Sequence, residues 1–130
     1  MKGYGMFSIN NAGWIEKDRP VCGSLDAIVE PMVVAPCSSD THVLHGGNGE
    51  KTNLILGHEA VGKIAEVGNL VKDFKPGDVV VVPCCTPNWL SLNTQGEYTA
   101  HDEGLMASFK FLGSKDGTFA EYFHVNQADA

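Results

Sequence analysis

A short glycine-spaced stretch, residues 57–68, most restricts how this sequence folds. His58 and Glu59 follow directly after its first glycine and precede a strand-like run at residues 60–67. Its three glycines mark points where the backbone must turn tightly or pass close to another segment. The stretch therefore predicts a strand that carries an imidazole and a carboxylate side by side at its start.

Short strand-like segments separated by turn signals make up most of the remaining sequence. Strands are predicted where β-branched, aromatic or alternating residues recur, at residues 2–9, 26–36, 60–67, 79–82 and 117–125. Pro31 predicts a bulge or an edge position, and the valine run at 79–82 is expected to be a buried strand. This pattern predicts a small, mainly β barrel or sandwich, and residues 1–130 are expected to form one domain.

The turns and helices are predicted from a few local signals. A turn is expected at residues 10–13, and the adjacent Pro76 and Gly77 predict the centre of a type II turn. Two serines and Asp40, directly after Cys37, predict an N-cap and one short helical turn. No helix of more than a few turns is predicted.

Composition excludes several classes of function. The formal net charge of -7 and the pI near 5.0 argue against nucleic acid or an anionic membrane as a partner. No apolar run reaches the roughly 18–20 residues that a membrane span needs, and residues 1–5 do not resemble a secretory leader. The four cysteines, at positions 22, 37, 84 and 85, therefore read as reduced thiols, which predicts a cytoplasmic location.

Cys37, His58 and Glu59 are the candidate metal ligands. A thiolate, an imidazole and a carboxylate suit zinc, and three protein ligands leave one coordination position open, as in catalytic sites. Taken singly, a buried structural cysteine and a hydrogen-bonded histidine are the more common readings, but the combined pattern favours zinc. A His-Glu-x-x-His protease motif is excluded because residue 62 is glycine.

Ser39 and His42 are the candidate proton-transfer residues. A hydroxyl two residues after Cys37 is placed to take the proton that an alcohol releases and to pass it to His42. The alternatives, a helix cap for Ser39 and a solvated surface histidine for His42, stay open. His45, His101 and His124 have no partner pattern and are expected to be structural.

Beyond these motifs, the chain resembles the zinc-containing alcohol dehydrogenases of the medium-chain dehydrogenase/reductase family. Gly57-His58-Glu59-x-x-Gly62 resembles their zinc signature. Further matching segments lie at residues 13–17 (GWIEK), 36–42 (PCSSDTH), 55–62 (ILGHEAVG), 71–78 (VKDFKPGD) and 121–126 (EYFHVN). These are similar to the NADP-dependent secondary alcohol dehydrogenases of anaerobic bacteria and amoebic protists, and the resemblance covers nearly the whole chain.

The resemblance implies a fold, a site and a reaction. It implies a GroES-like, partly open β-barrel with a few short helices, which serves as the catalytic domain and precedes a Rossmann coenzyme domain. Zinc ligation falls to Cys37 and His58, with Glu59 as an occasional ligand, and the proton relay falls to Ser39 and His42. A small secondary alcohol or ketone is the implied substrate, with hydride passing to the nicotinamide of NADP.

The sequence also departs from this family. A third zinc ligand, an aspartate, is expected beyond residue 130, and no Gly-x-Gly-x-x-Gly fingerprint of a coenzyme domain occurs. Phe109 stands where a tryptophan is usual, and the loop at residues 46–51 is one residue short. We therefore expect weak zinc binding, no dehydrogenase activity in this chain alone, and self-association through the face that normally meets the coenzyme domain. The alternative is a non-enzymatic GroES-like module for binding or oligomerisation.

Overall fold

The computed structural model describes residues 1–82, 92–96 and 115–129, which form two antiparallel sheets. The elements are, in chain order, β1 (Lys2–Ser8), β2 (Asn11–Glu16), β3 (Ala27–Val34), α1 (Ser38–Leu44), β4 (Leu54–Ile55), β5 (Ala60–Val67), β6 (Val79–Val82), α2 (Leu92–Gln95) and β7 (Phe123–Val125). One sheet has the strand order β2-β1-β4 and the other the order β6-β5-β3-β7. The mainly β architecture with short helices is as the sequence predicts, and within the described residues the two sheets do not close into one continuous barrel.

The hairpin of β1 and β2 turns earlier than the sequence predicts. Asn10 has φ 62 and closes the turn, a conformation that asparagine tolerates better than most residues. Asn11 already pairs with Ser8, and Gly13 pairs with Gly5. The turn lies at residues 9 and 10, so the prediction of residues 10–13 is right only at Asn10, and residues 11–13 already belong to β2.

β3 is an interior strand of the larger sheet, and Pro31 lies at the predicted irregularity in it. The pairing of β3 with β5 shifts register between Pro31 and Val33, so the predicted bulge is confirmed. On the opposite side, β7 pairs only with Ala27, Ile28 and Val29. Pro31, which has no N–H to donate, thus lies beyond the end of that ladder.

Two further strand predictions are corrected. β6 is only half buried: Val82 is in the core and Val80 packs against it, whereas Val79 is 61% and Val81 is 77% exposed, because only one face of the strand is covered by the core. The last strand spans only Phe123–Val125, since residues 117–119 form backbone hydrogen bonds to residues 55–57 instead. The predictions for Cys84, Cys85, His101 and Phe109 fall outside the described residues.

Two hydrophobic clusters fix the elements that carry the candidate site. The first consists of side chains from the four strands of the larger sheet. The second packs β1, β4 and the loop after β4 against α1. The buried members of the second are Met6, Val43, Leu54 and Leu56. Val43 anchors α1, so the segment that begins at Cys37 and the loop that carries His58 are held against the same cluster.

Asp26 and His124 tie the last described segment to the start of β3. The Nε2–H of His124 donates to the Asp26 carboxylate at 2.8 Å, and the N–H of Gln127 donates to its other oxygen at 3.1 Å. Burial, with help from the charge of Lys115, lowers the pKa of His124 despite its bond to Asp26. Burial alone would raise the pKa of Asp26, but the hydrogen bonds from His124 and Gln127 outweigh it and lower that pKa.

We expect His124 to make stability fall as the pH drops below about 6.5. Because its pKa is lowered from 6.5 in the folded chain, the unfolded chain binds more protons in this window, and stability is lost on acidification. His124→Gln keeps an N–H donor but does not titrate. Denaturant unfolding at pH 7 and pH 5 is expected to show a smaller pH dependence in this variant, whereas His45→Gln, at an exposed site, should leave it unchanged. An equal pH dependence in wild type and His124→Gln would contradict this.

Candidate metal centre

Two loops bring the side chains of Cys37, His58 and Glu59 to one point. Cys37 is the N-cap residue of α1, and the other two connect β4 to β5. One ligand atom from each residue, the cysteine sulfur, a histidine nitrogen and a carboxylate oxygen, lies within 4.8 Å of the other two. Donor atoms that share a tetrahedral zinc ion lie about 3.5 Å apart, so this donor set fits such an ion after a small contraction.

Asp40 ties the two loops together. Its Oδ2 accepts the N–H of Cys37 at 2.9 Å, and its Oδ1 accepts the N–H of Gly57 at 2.9 Å. Gly57 has φ 96, a conformation that suits glycine, and a Cβ there would overlap the side chains of Thr118 and Phe119. The carboxylate is 5% exposed, so both of its oxygens are committed to holding the ligand-bearing backbone.

The ring of His58 lies between two carboxylates. Its Nδ1 is 3.4 Å from Asp40 Oδ1, and its Nε2 is 3.7 Å from Glu59 Oε1. Nδ1 is buried and has no hydrogen bond of good geometry among the described residues. Nδ1 nevertheless lies on the Asp40 side of the ring, and Nε2 lies on the Glu59 side. Metal-binding histidines are commonly oriented by a carboxylate in this way.

Hydrogen bonds around Cys37 favour the thiolate form of its side chain. The backbone N–H of Ser39, followed by the hydroxyl of Ser39 and the ring of His58, lowers the pKa of the Cys37 thiol. The sulfur lies 3.7 Å from the Ser39 hydroxyl oxygen. By contrast, burial raises the pKa of Cys22. Because the thiolate is the form that binds metal, Cys37 is the better ligand of the two.

Ser39 and His42 are placed differently relative to the metal-binding candidates. Ser39 lines an open cavity of about 570 Å³ together with Cys37, His58 and Glu59. His42 follows one turn later on α1, is exposed, and does not line this cavity. Its ring packs against Gly47, where a Cβ would overlap it. The proton relay through these two residues stays a prediction.

A row of valines forms an apolar wall of the same cavity. Val33 of β3 is paired with Val61 of β5, which is paired with Val81 of β6. Directly paired residues point to the same face of a sheet, and all three line the cavity. We call these residues the valine row. Val33 is 65% exposed, so a broad apolar surface begins beside the metal-binding candidates.

The sequence interpretation missed the role of Asp40. It assigned Asp40 to a helix cap, and the spacing of Cys37 and Asp40 does match the reciprocal pairing of an N-cap residue with the third residue of a helix. That signal accounts for the bond to Cys37. The bond to Gly57 spans 17 residues and has no local sequence signal.

The family of the chain follows from its similarity to known proteins. The model of the alcohol dehydrogenase GroES-like domain matches residues 23–130. The chain belongs to this family. The fold agrees: the GroES-like chain superposes on the apo form of zinc dependent alcohol dehydrogenase 2 from Streptococcus pneumonia with a TM-score of 0.85 at 33% identity, covering 99% of this chain and 36% of that one.

Relatives of this GroES-like domain include named secondary alcohol dehydrogenases. The chain is 59% identical to the NADP-dependent isopropanol dehydrogenase of Clostridium beijerinckii and 57% identical to that of Thermoanaerobacter brockii. Both matches cover 99% of this chain and 37% of the relative. The chain thus spans little more than a third of the length of these relatives. No helix among its described residues is long and apolar enough to cross a membrane.

We expect Asp40→Asn to weaken metal binding by roughly 10–100-fold, the usual cost of removing a residue that orients a metal-binding histidine. The amide keeps one acceptor for the N–H of Gly57 or of Cys37 but loses the charge beside His58. Competition of Zn²⁺ against a coloured chelator measures the affinity. Asp78→Asn, which removes a carboxylate from an exposed turn, serves as the control and should bind as the wild type does. Equal affinities for Asp40→Asn and the control would contradict this role.

Proposed function

We propose that this chain is the zinc-binding catalytic domain of an NADP-dependent secondary alcohol dehydrogenase. The observation that supports it most is the convergence of Cys37, His58 and Glu59 in a chain 59% identical to an enzyme of that description. We also propose that residues 1–130 form one GroES-like domain. NADP would be bound by a separate coenzyme domain, like the part of the relatives that this chain does not match. A cytoplasmic location stays a prediction from the cysteine usage.

The residues are assigned the following roles. Cys37 and His58 would hold the zinc ion, and Glu59 would be an occasional third ligand. When bound, zinc polarises the alcohol oxygen and lowers its pKa. The hydroxyl of Ser39 accepts the proton that the alcohol loses and gives its own proton to His42, which releases it to water. Asp40 holds the backbone of Cys37 and of Gly57, next to His58, throughout.

The valine row supports a small apolar substrate and an apolar partner surface. Val33, Val61 and Val81 present only hydrocarbon to the cavity, which suits the alkyl groups of a small secondary alcohol or ketone. Their exposure would also leave an apolar patch facing water, and such patches favour association. We therefore propose that the isolated chain self-associates through the valine row.

Transfer of the chain into a complete enzyme tests the proposed function. We expect a chimera in which residues 1–130 replace the matching part of the Clostridium beijerinckii enzyme to oxidise isopropanol with NADP. Cys37→Ser should lower kcat/KM more than 100-fold, because a metal ligand is lost, whereas Cys22→Ser should stay within about twofold.

Full activity of the Cys37→Ser chimera would contradict this function. NADPH oxidation with a ketone by residues 1–130 alone would instead contradict the expectation that this chain is inactive without a coenzyme-binding domain. Zinc analysis distinguishes the proposed catalytic domain from the alternative, a non-enzymatic GroES-like binding or oligomerisation module. That module should hold no zinc, whereas the proposed domain should hold zinc weakly and lose it in Cys37→Ser.

Sedimentation equilibrium tests the predicted self-association. We expect the wild-type chain to form dimers or larger species at high micromolar concentration, and Val33→Lys/Val81→Lys to stay monomeric because two charges interrupt the valine row. Leu70→Lys is the matched control. Leu70 is 55% exposed in the loop after β5, outside the valine row, so this variant should associate as the wild type does. A wild-type chain that is monomeric at these concentrations would contradict the prediction.

A further inference from the structure

We propose that Asp116 is a positioning residue for the metal site, although it lies in a separate segment of the chain. It acts through the backbone of the loop that carries His58 and Glu59, and Lys17 acts with it. This inference rests on the proposed function, because it assumes that these two side chains hold a metal ion.

The carboxylate of Asp116 joins three segments. Its Oδ1 accepts the N–H of Ile55 at 3.0 Å. The Lys17 ammonium, just after β2, donates to Oδ1 at 2.7 Å and to Oδ2 at 2.8 Å. The two side chains are only 24% and 31% exposed, so solvent screens this ion pair less than a surface pair. Asp116 is therefore anchored by the charge of Lys17 and bonded through Oδ1 to Ile55, three positions before His58.

Residues 116–119, which we call the strap, run along the loop before His58. The N–H groups of Gly117, Phe119 and Thr118 donate to the carbonyls of residues 55, 56 and 57 at 2.8, 2.9 and 3.0 Å. Only a glycine fits at position 117, because a Cβ there would overlap the carbonyl oxygen of Gly57. The buried Thr118 hydroxyl also lies 3.5 Å from the carbonyl oxygen of Glu59. The strap thus touches the backbone on both sides of His58.

The loop before His58 has no unpaired backbone group. In addition to the bonds from the strap and Asp116, the N–H of Leu56 donates to the carbonyl of Tyr4 at 3.1 Å, and the N–H of Gly57 donates to Asp40. Every N–H and C=O of residues 55–57 is therefore hydrogen-bonded. Donors fixed before the metal arrives lose less conformational entropy on binding it, so such a loop supports tighter binding.

Asp116 differs from Asp129, another aspartate that links two segments by hydrogen bonds, in what lies next to the bonded residue. Asp129 makes a similar tie: its two oxygens accept the N–H groups of Lys72 and Asp73 at 2.8 and 3.0 Å. That tie ends on a loop that carries none of the candidate ligands. Loss of either aspartate should lower overall stability, but only loss of Asp116 should loosen the donors of the metal site.

Cobalt binding separates these two effects. Co²⁺ is added to the wild-type chain and to Asp116→Ala, Asp116→Asn, Lys17→Met and Asp129→Ala, and the thiolate-to-metal absorption band reports binding at Cys37. We expect Asp116→Ala to weaken Co²⁺ binding about tenfold, at the low end of the cost of losing outer-shell support. Lys17→Met and Asp116→Asn, which keep an acceptor at position 116, should weaken it two- to fivefold, and Asp129→Ala should leave it unchanged.

Hydrogen exchange in the metal-free chain gives a second readout. Exchange at the amides of Leu56 and Gly57 should accelerate in Asp116→Ala and not in Asp129→Ala. Equal Co²⁺ affinity for wild type and Asp116→Ala, or an equal loss in Asp116→Ala and Asp129→Ala, would overturn the positioning role. If the wild-type chain shows no Cys37-dependent Co²⁺ band, the proposed function falls, and this inference falls with it. If that band is present and only the Asp116 effect is missing, the inference alone falls.

Discussion

The buried carboxylate of Asp40 is the constraint on which the candidate site depends. An ionised carboxylate removed from water costs several kcal/mol unless it is hydrogen-bonded. Here the available donors are the N–H groups of Cys37 and Gly57, with the His58 ring at 3.4 Å. Satisfying this one charge therefore brings the loop before α1 and the loop before β5 to the same place. The convergence of a thiol and an imidazole is a consequence of that requirement.

A second carboxylate supports the same loop from the other side. Asp40 bonds the N–H of Gly57, and Asp116 bonds the N–H of Ile55, so acidic side chains hold alternate residues of one short segment. One comes from α1 and the other from a segment 61 residues after Ile55. Because the two are far apart in sequence, the loop becomes rigid only when both of its neighbours have folded onto it. Metal binding at the proposed site would therefore be coupled to folding of this region.

The sequence predicts those parts of the fold that depend on interactions between residues close together in the chain. Residues 60–67 form the predicted strand, and Gly77, with φ 98, occupies the predicted turn, because strand propensity and glycine geometry act within a few residues. The exposure of Val81 was not predictable, since burial of a valine strand depends on what covers it. The bonds of Asp40 to Gly57 and of Asp116 to Ile55 were not predictable either, because no local pattern encodes a partner so distant in sequence.

The exposed valine row and the openness of the cavity both bear on how water is excluded from the candidate site. Hydride transfer to a nicotinamide requires a site from which water is excluded, yet Glu59 has a side chain 51% exposed. Closing such a site means covering apolar surface, which contributes about 25 cal/mol per Å² buried. The valine row is an apolar surface directly beside the candidate ligands. Any structure that covers these valines would therefore also exclude water from the site. In the proposed enzyme, a coenzyme-binding part that covered the valine row would also exclude water from the site.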